Sequence, residues 1–391
     1  MYSFADRLTG ITGSAIRQIF MLLQDPEIIS FAGGNPSPQS FPKETLAKLA
    51  ERILKEQGEA VLQYGGTIGM HSLRDTTLAE LAKIGIQAGR DEIIIISGSS
   101  QGLDLTAKAF LNPGDRVLVE SPTFLGALQT FLIYQADIKS VQTDENGLIP
   151  EDLEKKIKLH RPKFLYTIPT FQNPTGLTMA EDRRREVLSI CEREGVIVLE
   201  DDPYRDLRYA GEPLPPIKTF DKNNNVIYLF SFSKIISPGL RVGAAVADKE
   251  IIGKFNICKQ GADVHTSNLA QALADAYCRS GELEAHKKRI NEMYKKQMET
   301  MLSLMDTLFP GEVKHTVPQG GLFIWAELPE GVDATAIFKK AVEKKVAFVP
   351  GTHFYCEGGH ENTLRLNFSM ASLPQIEEGM ERLAQVIKAN M

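Results

Sequence analysis

Between Asp91 and Val246 the chain alternates short apolar runs with longer amphipathic stretches, and this rhythm leaves few folds open. The runs Ile93–Ile96, Arg116–Val119, Phe164–Ile168, Val196–Leu199 and Val226–Phe230 are rich in Ile, Val, Leu and Phe. They are apolar at successive positions, so both faces need cover, as in strands inside a parallel sheet. Parallel neighbours need crossovers, and Gln101–Leu111, Glu151–Leu159 and Ala180–Arg193 have the spacing of crossover helices. The expectation is an α/β domain with a mostly parallel central sheet. Residues 282–308 then form a long charged stretch with apolar positions at helical spacing, read as a helix leaving that domain.

The pattern changes after Pro310. Gly321–Leu328, Val346–Val349 and Leu364–Phe368 read as strands, and Ala334–Glu343 and Leu373–Ala389 as helices. This predicts a smaller α+β domain. The first forty residues carry turn formers (Gly33, Gly34, Pro36, Pro38, Pro42) and read as an arm that joins the small domain. The expected division is arm 1–42, large domain 43–282 and small domain 283–391. A chain of 391 residues is long enough for two domains.

Composition excludes several classes. A net charge of −6 without a basic stripe argues against nucleic acid as a partner. No apolar run approaches the roughly 20 residues that span a bilayer, so no membrane role is expected. Cys191, Cys258, Cys278 and Cys356 form no C-x-x-C pair, so no metal site is expected. Scattered cysteines and the lack of a signal pattern point to the cytoplasm. His71, His265, His353 and His360 stand alone in sequence and are read as structural or surface residues.

Four motifs carry chemistry. Ser231-Phe-Ser-Lys234-Ile-Ile-Ser-Pro-Gly-Leu-Arg241 follows directly on a strand, where ligands of α/β sheets sit. A lysine held there near cations or apolar groups loses its proton readily and becomes a nucleophile. Ser231, Ser233 and Arg241 are short donors plus a forked cation, suited to a phosphate. Asn173-Pro-Thr-Gly176 reads as a turn after the third strand. Glu200-Asp201-Asp202-Pro-Tyr204 closes the fourth; one turn of helix would bring Asp201 and Tyr204 toward one ligand. Ser97-Gly-Ser-Ser-Gln101-Gly joins a strand to a helix whose N-terminus attracts anions.

In this order, and over nearly the whole chain, the motifs resemble the class I/II aminotransferases of the fold-type-I pyridoxal 5'-phosphate (PLP) enzymes. Phe31-Ala-Gly-Gly-Asn-Pro and Glu200-Asp-Asp-Pro-Tyr resemble the 2-aminoadipate and kynurenine aminotransferase branch. The resemblance implies a ping-pong transfer of an amino group between an amino acid and a 2-oxo acid. It implies catalytic roles for Lys234, Asp201 and Tyr204: Lys234 as Schiff-base lysine and proton shuttle, Asp201 at the pyridine nitrogen, and Tyr204 with Asn173 at the ring's phenolic oxygen. Ser99, Ser100, Gln101, Ser231, Ser233 and Arg241 would hold the phosphate, and Phe124 would cover one ring face. Phe124 stands where many relatives have tyrosine, so it stacks without a hydroxyl.

On the substrate side, Arg365 in Leu364-Arg-Leu-Asn-Phe-Ser matches the arginine that clamps the α-carboxylate, with Asn173 beside it. Gly34 would let that carboxylate approach the backbone. Arg17, in Ser14-Ala-Ile-Arg-Gln-Ile-Phe, is a candidate for the distal carboxylate of an acidic substrate. Tyr64 in Gln63-Tyr-Gly-Gly matches a tyrosine that reaches a neighbouring subunit's phosphate, which implies a homodimer. Two other readings stand beside this one. A lyase or decarboxylase would keep the same cofactor residues, although Arg365 opposes decarboxylation. A PLP- or amino-acid-sensing module would need an appended DNA-binding helix pair, and none is expected here.

Overall fold

The computed structural model describes residues 2, 4–8 and 25–391. The alternating region builds an eight-stranded sheet. From edge to edge its strands are Ile93–Ile96, Gly243–Val246, Val226–Ser231, Ile197–Asp201, Phe164–Thr167, Arg116–Ser121, Asp137–Asp144 and Gly147–Leu148. The five from Val226–Ser231 to Asp137–Asp144 pair in parallel. Strand Gly243–Val246 runs antiparallel to both its neighbours, so Ile93–Ile96 points the same way as the parallel set. The carboxyl ends of these strands therefore open on one edge of the sheet.

Burial explains why the runs are strands. Ile93–Ile96, Phe164–Thr167 and Val226–Ser231 are buried at every residue. Each large apolar side chain so buried contributes about 1.5–3 kcal/mol. β-branched residues fit a pleated surface covered on both faces. Three strands of this sheet escape a reading by pattern for physical reasons, of which Gly147–Leu148 is simply too short, at 2 residues. Gly243–Val246 is four small residues, Gly-Ala-Ala-Val. Asp137–Asp144 buries only Val141, so it shows neither alternation nor a continuous apolar run.

The C-terminal part is built around a four-stranded antiparallel sheet in the order Lys314–His315, Phe323–Glu327, Thr363–Asn367, Val349–Pro350. The run read as one strand over Val346–Val349 is two short ones, since Val346–Ala347 pairs instead with Ile29–Ser30 of the arm. Helix Leu283–Leu308 buries Ile290, Tyr294, Met298, Met301 and Met305, one stripe at helical spacing, and packs along Leu373–Lys388. The latter starts with a capping box between Ser372 and Gln375. The arm is tied down further: the Asn367 amide donates to the Phe31 carbonyl at 2.8 Å, and the Tyr294 hydroxyl accepts from the Ser37 amide at 2.9 Å. These bonds bring Gly34 and Asn35 to the open edge of the large sheet.

Candidate active site

A cavity of about 210 Å³ lies at that edge, lined by Ser99, Ser100, Phe124, Asp201, Tyr204, Ser231, Ser233, Lys234 and Arg241, with Asn35, Ile168, Pro203 and Pro238. Residues more than a hundred positions apart converge because each motif ends a strand of the same sheet. Asp201 is the last residue of its strand, and Tyr204 follows in an irregular turn. The expected turn of helix between them is absent: Pro203 intervenes and the chain bends over the sheet edge instead. Both side chains still face the cavity.

The phosphate-like end is a web of short donors. Helix Ser99–Phe110 begins beside the cavity with Gly98 at its N-cap and no side-chain cap, leaving its first N–H groups for an anion. Gly98 has φ +84°, a left-handed backbone that favours glycine, and a Cβ there would crowd the Arg241 guanidinium. Arg241 donates to the Ser97 carbonyl at 2.9 Å and to the Ser233 hydroxyl at 3.4 Å. The Ser231 hydroxyl donates to that of Ser233 at 3.0 Å.

Gln101 differs from expectation. It is not among the lining residues, and its side-chain amide bonds to groups outside the cavity. Its Oε1 accepts from the Ser97 amide at 2.8 Å and from Lys259 Nζ at 2.6 Å, while its Nε2 donates to Asp263 at 2.9 Å.

The deep end is different in kind. Asp201 is 2% exposed; its Oδ2 accepts from the Tyr166 hydroxyl at 3.1 Å and its Oδ1 is buried with no donor. Burial raises its pKa to about 7, opposed by the Tyr166 bond, the nearby Ser99 hydroxyl and the charge of Lys234. A buried acceptor without a donor is costly, and a cationic N–H on a ligand would complement it. Tyr204 receives an N–H from Asn173 at 3.4 Å, and burial holds its phenol well above the usual range.

Lys234 donates to the Gly34 carbonyl at 2.8 Å and lies 5.7 Å from the centre of the Tyr204 ring. Burial first, then the charges of Arg365 and Arg241, pull its pKa down to about 8. It is therefore primed as a nucleophilic amine. Arg365 is 2% exposed. It donates to Asn173 Oδ1 at 2.8 Å and to the Ala32 carbonyl at 2.7 Å, and lies 4.3 Å above the Phe323 ring. Its Nε is buried without an acceptor, and none of its partners is an acid. A buried guanidinium without a counter-charge is unfavourable, and a carboxylate ligand would relieve it.

Gly34 supplies its carbonyl, but its missing side chain is not forced by crowding: a Cβ would sit at an ordinary 3.5 Å from Phe323. Gly176, at φ +72°, is forced, because a Cβ would meet the Phe323 carbonyl oxygen at 2.5 Å. Tyr64 lies outside the cavity, 82% exposed, edge-on to His265 at 6.0 Å. Arg17 lies outside the described residues.

Several contributors are not legible from spacing. Glu120 is buried and accepts from Thr167 at 2.6 Å, the Ile168 amide at 3.1 Å and Gln172 at 3.1 Å. Gln172 also donates to the Pro122 carbonyl at 2.8 Å, which ties the Asn173 turn to the Phe124 turn. Tyr166, which orients Asp201, reads in sequence only as a strand residue.

The residues present fit PLP: donors and a cation at one end, an orphaned acid at the other, and a lowered-pKa lysine between. Comparison with known proteins agrees. Residues 26–383 match the family model "Aminotransferase class I and II". Aromatic-amino-acid aminotransferase 1 of Thermococcus litoralis is 41% identical over 99% of this chain and 94% of its own. The crystal structure of Pyrococcus horikoshii kynurenine aminotransferase, in complex with PMP, is 42% identical with a TM-score of 0.96, covering 99% of this chain and 97% of its own. That of α-aminoadipate aminotransferase from Thermus thermophilus, complexed with N-(5'-phosphopyridoxyl)-L-leucine, is 41% identical with a TM-score of 0.92, covering 99% and 97%. The chain belongs to the class I and II aminotransferases and is a PLP-dependent transaminase.

Proposed function

We propose that this transaminase accepts 2-aminoadipate, glutamate or an aromatic or aliphatic amino acid and is assembled as a homodimer. The observation that carries the substrate side is Arg365, a buried cation lacking an acid partner. It would bind the α-carboxylate with its fork, beside Asn173. For the cofactor, Ser99, Ser100, Ser231, Ser233 and Arg241 would hold the phosphate, Phe124 would lie against one ring face, Asp201 would meet the ring nitrogen, and Tyr204 with Asn173 the phenolic oxygen. When bound, PLP withdraws electrons from the substrate α-carbon. Lys234 would attach the cofactor and, once displaced by substrate, use its Nζ to take the α-proton and hand it back on the cofactor side. Burial at the deep end keeps water from competing for that proton.

The arm 1–42 would belong with the small domain (283–391), with the cofactor domain over 43–282; the pairing of Ile29–Ser30 with Val346–Ala347 supports this division. Exposed Tyr64 supports a dimer, since a phenol held outward beside His265 would be free to serve another subunit. The four unpaired cysteines fit a reducing compartment, which we take to be the cytoplasm. Among the described residues no helix is long and apolar enough to cross a membrane. We take the protein to have no nucleic-acid partner, on its charge of −6.

Acidic and aromatic donors are favoured by the 2-aminoadipate, kynurenine and aromatic relatives. A panel of amino donors with 2-oxoglutarate as acceptor tests the reading. Turnover of 2-aminoadipate, glutamate and an aromatic donor is expected, with Arg17→Ala lowering the two acidic donors more than leucine. Turnover of none of the three, nor of leucine, would refute the substrate assignment, and equal loss on the acidic donors and leucine in Arg17→Ala would remove Arg17 from it.

A further inference from the structure

Behind the phosphate-like end lies a side chain that the chemistry above does not use. Lys259, in the last turn of helix Lys249–Gln260, has a fully buried side chain. Lysines are seldom buried, because an ammonium out of water is costly unless every donor is met. Here all are met: Nζ lies 2.6 Å from Gln101 Oε1, 2.9 Å from each oxygen of Asp263 and 3.1 Å from Thr266 Oγ1. An apolar residue would fill the same space without the desolvation cost, so the charge asks for a reason.

The partners of Lys259 supply one. Gln101 Oε1, fixed by the ammonium, also accepts the Ser97 amide at 2.8 Å. Asp263 Oδ2 accepts from Gln101 Nε2 at 2.9 Å and from the Ser97 hydroxyl at 2.8 Å. The carbonyl of the same Ser97 takes the Arg241 guanidinium at 2.9 Å. The ammonium thus dictates which way the Gln101 amide points. That amide and Asp263 pin the Ser97–Gly98 turn. The turn then aims Arg241 and the opening N–H groups of helix Ser99–Phe110 into the cavity.

We propose that Lys259 is a positioning residue for the phosphate of the cofactor, acting through Gln101 and Ser97 on Arg241 and on the helix N-terminus, without touching the ligand. The inference rests on the reading that Ser99, Ser100 and Arg241 hold that phosphate. Its signature is selectivity between PLP and pyridoxal, which has the same ring and aldehyde but no phosphate. A general packing defect would weaken both.

The test titrates the apo form of the full-length protein with PLP and with pyridoxal, following visible absorbance, for the parent chain, Lys259→Met, Asp263→Asn and Arg241→Met. Lys259→Met is expected to raise the Kd for PLP on the order of tenfold and leave that for pyridoxal within about twofold, a small fraction of one such step. Asp263→Asn, which keeps shape and removes charge, should move the same way by less, and carries the test if Lys259→Met does not fold. Loss of both affinities by one factor, or no change in either, would overturn the proposal. If Arg241→Met discriminates between the two ligands and the Lys259 and Asp263 variants do not, the proposal alone fails. If none discriminates, the phosphate assignment fails with it.

Discussion

Two arginines flank Lys234 in opposite physical states. Arg241 is exposed, sits in a left-handed turn at φ 52°, and bonds to carbonyls and a hydroxyl around it. Arg365 is buried, carries an unpartnered Nε and stacks between two aromatic rings. The first sits where water can replace any ligand, so its geometry is easily maintained. The second holds a cation that has no acid partner among the described residues, and burial pulls its pKa down to about 10. Under the proposed roles the contrast would separate two tasks. A permanently held dianion would be met by many modest donors at a half-open edge, and a substrate carboxylate that comes and goes by one desolvated fork, whose stabilisation would appear only on binding.

Replacing each arginine breaks the comparison differently. Arg365→Met is expected to have the largest effect, removing roughly 3–5 kcal/mol of substrate binding and hence two to four orders of magnitude in kcat/KM. Cofactor affinity should move by less than about threefold. Arg241→Met should do the reverse: about 10–100-fold weaker PLP binding, the worth of one charge-assisted bond, and a smaller loss of kcat/KM at saturating PLP. Steady-state kinetics beside PLP titrations of both variants separate the two. If Arg365→Met weakened PLP as much as substrate, the division of labour would be wrong.

A pH series sharpens the same comparison. Lys234 must be neutral to react, and its pKa lies near 8. The rate of PLP loading should therefore rise with pH up to about 8 and then level off. Removing either positive charge raises the lysine's pKa, so the inflection should move to higher pH in both variants. The shift should be larger for Arg365→Met, because exposure screens Arg241. A smaller effect is expected at the acid. Burial holds Asp201 near pKa 7 against an ordinary 3.8, so the apo protein loses stability as pH rises from about 4 through 7. Apo Asp201→Asn should then gain about 1–3 kcal/mol over the parent chain above pH 7, and little near pH 4. Denaturant titration of both apo proteins at the two pH values would show this.

Sequence was legible where physics is local. Val226–Phe230 is buried on both faces and could only be an inner strand, and Ser-x-Ser-Lys had to follow it at the sheet edge. Legibility failed where neighbours decide. Gly243–Val246 is too small to announce itself as a strand. The expected helical turn at Asp201–Tyr204 gave way to Pro203. The resemblance puts Gln101 on the phosphate, and its side-chain amide bonds Lys259, Asp263 and Ser97, contacts to residues up to 162 positions away that spacing does not announce. Glu120 and Tyr166 were invisible for the same reason: each acts through a partner more than thirty residues away.

Lys234 as the point of cofactor attachment is the claim on which every other role depends. Reduction of the PLP-loaded protein with borohydride, followed by peptide mass spectrometry, tests it directly. The expected result is a phosphopyridoxyl group on the peptide containing Lys234, and its loss in Lys234→Ala. Labelling at another lysine, or a bound cofactor that borohydride leaves unattached, would contradict it.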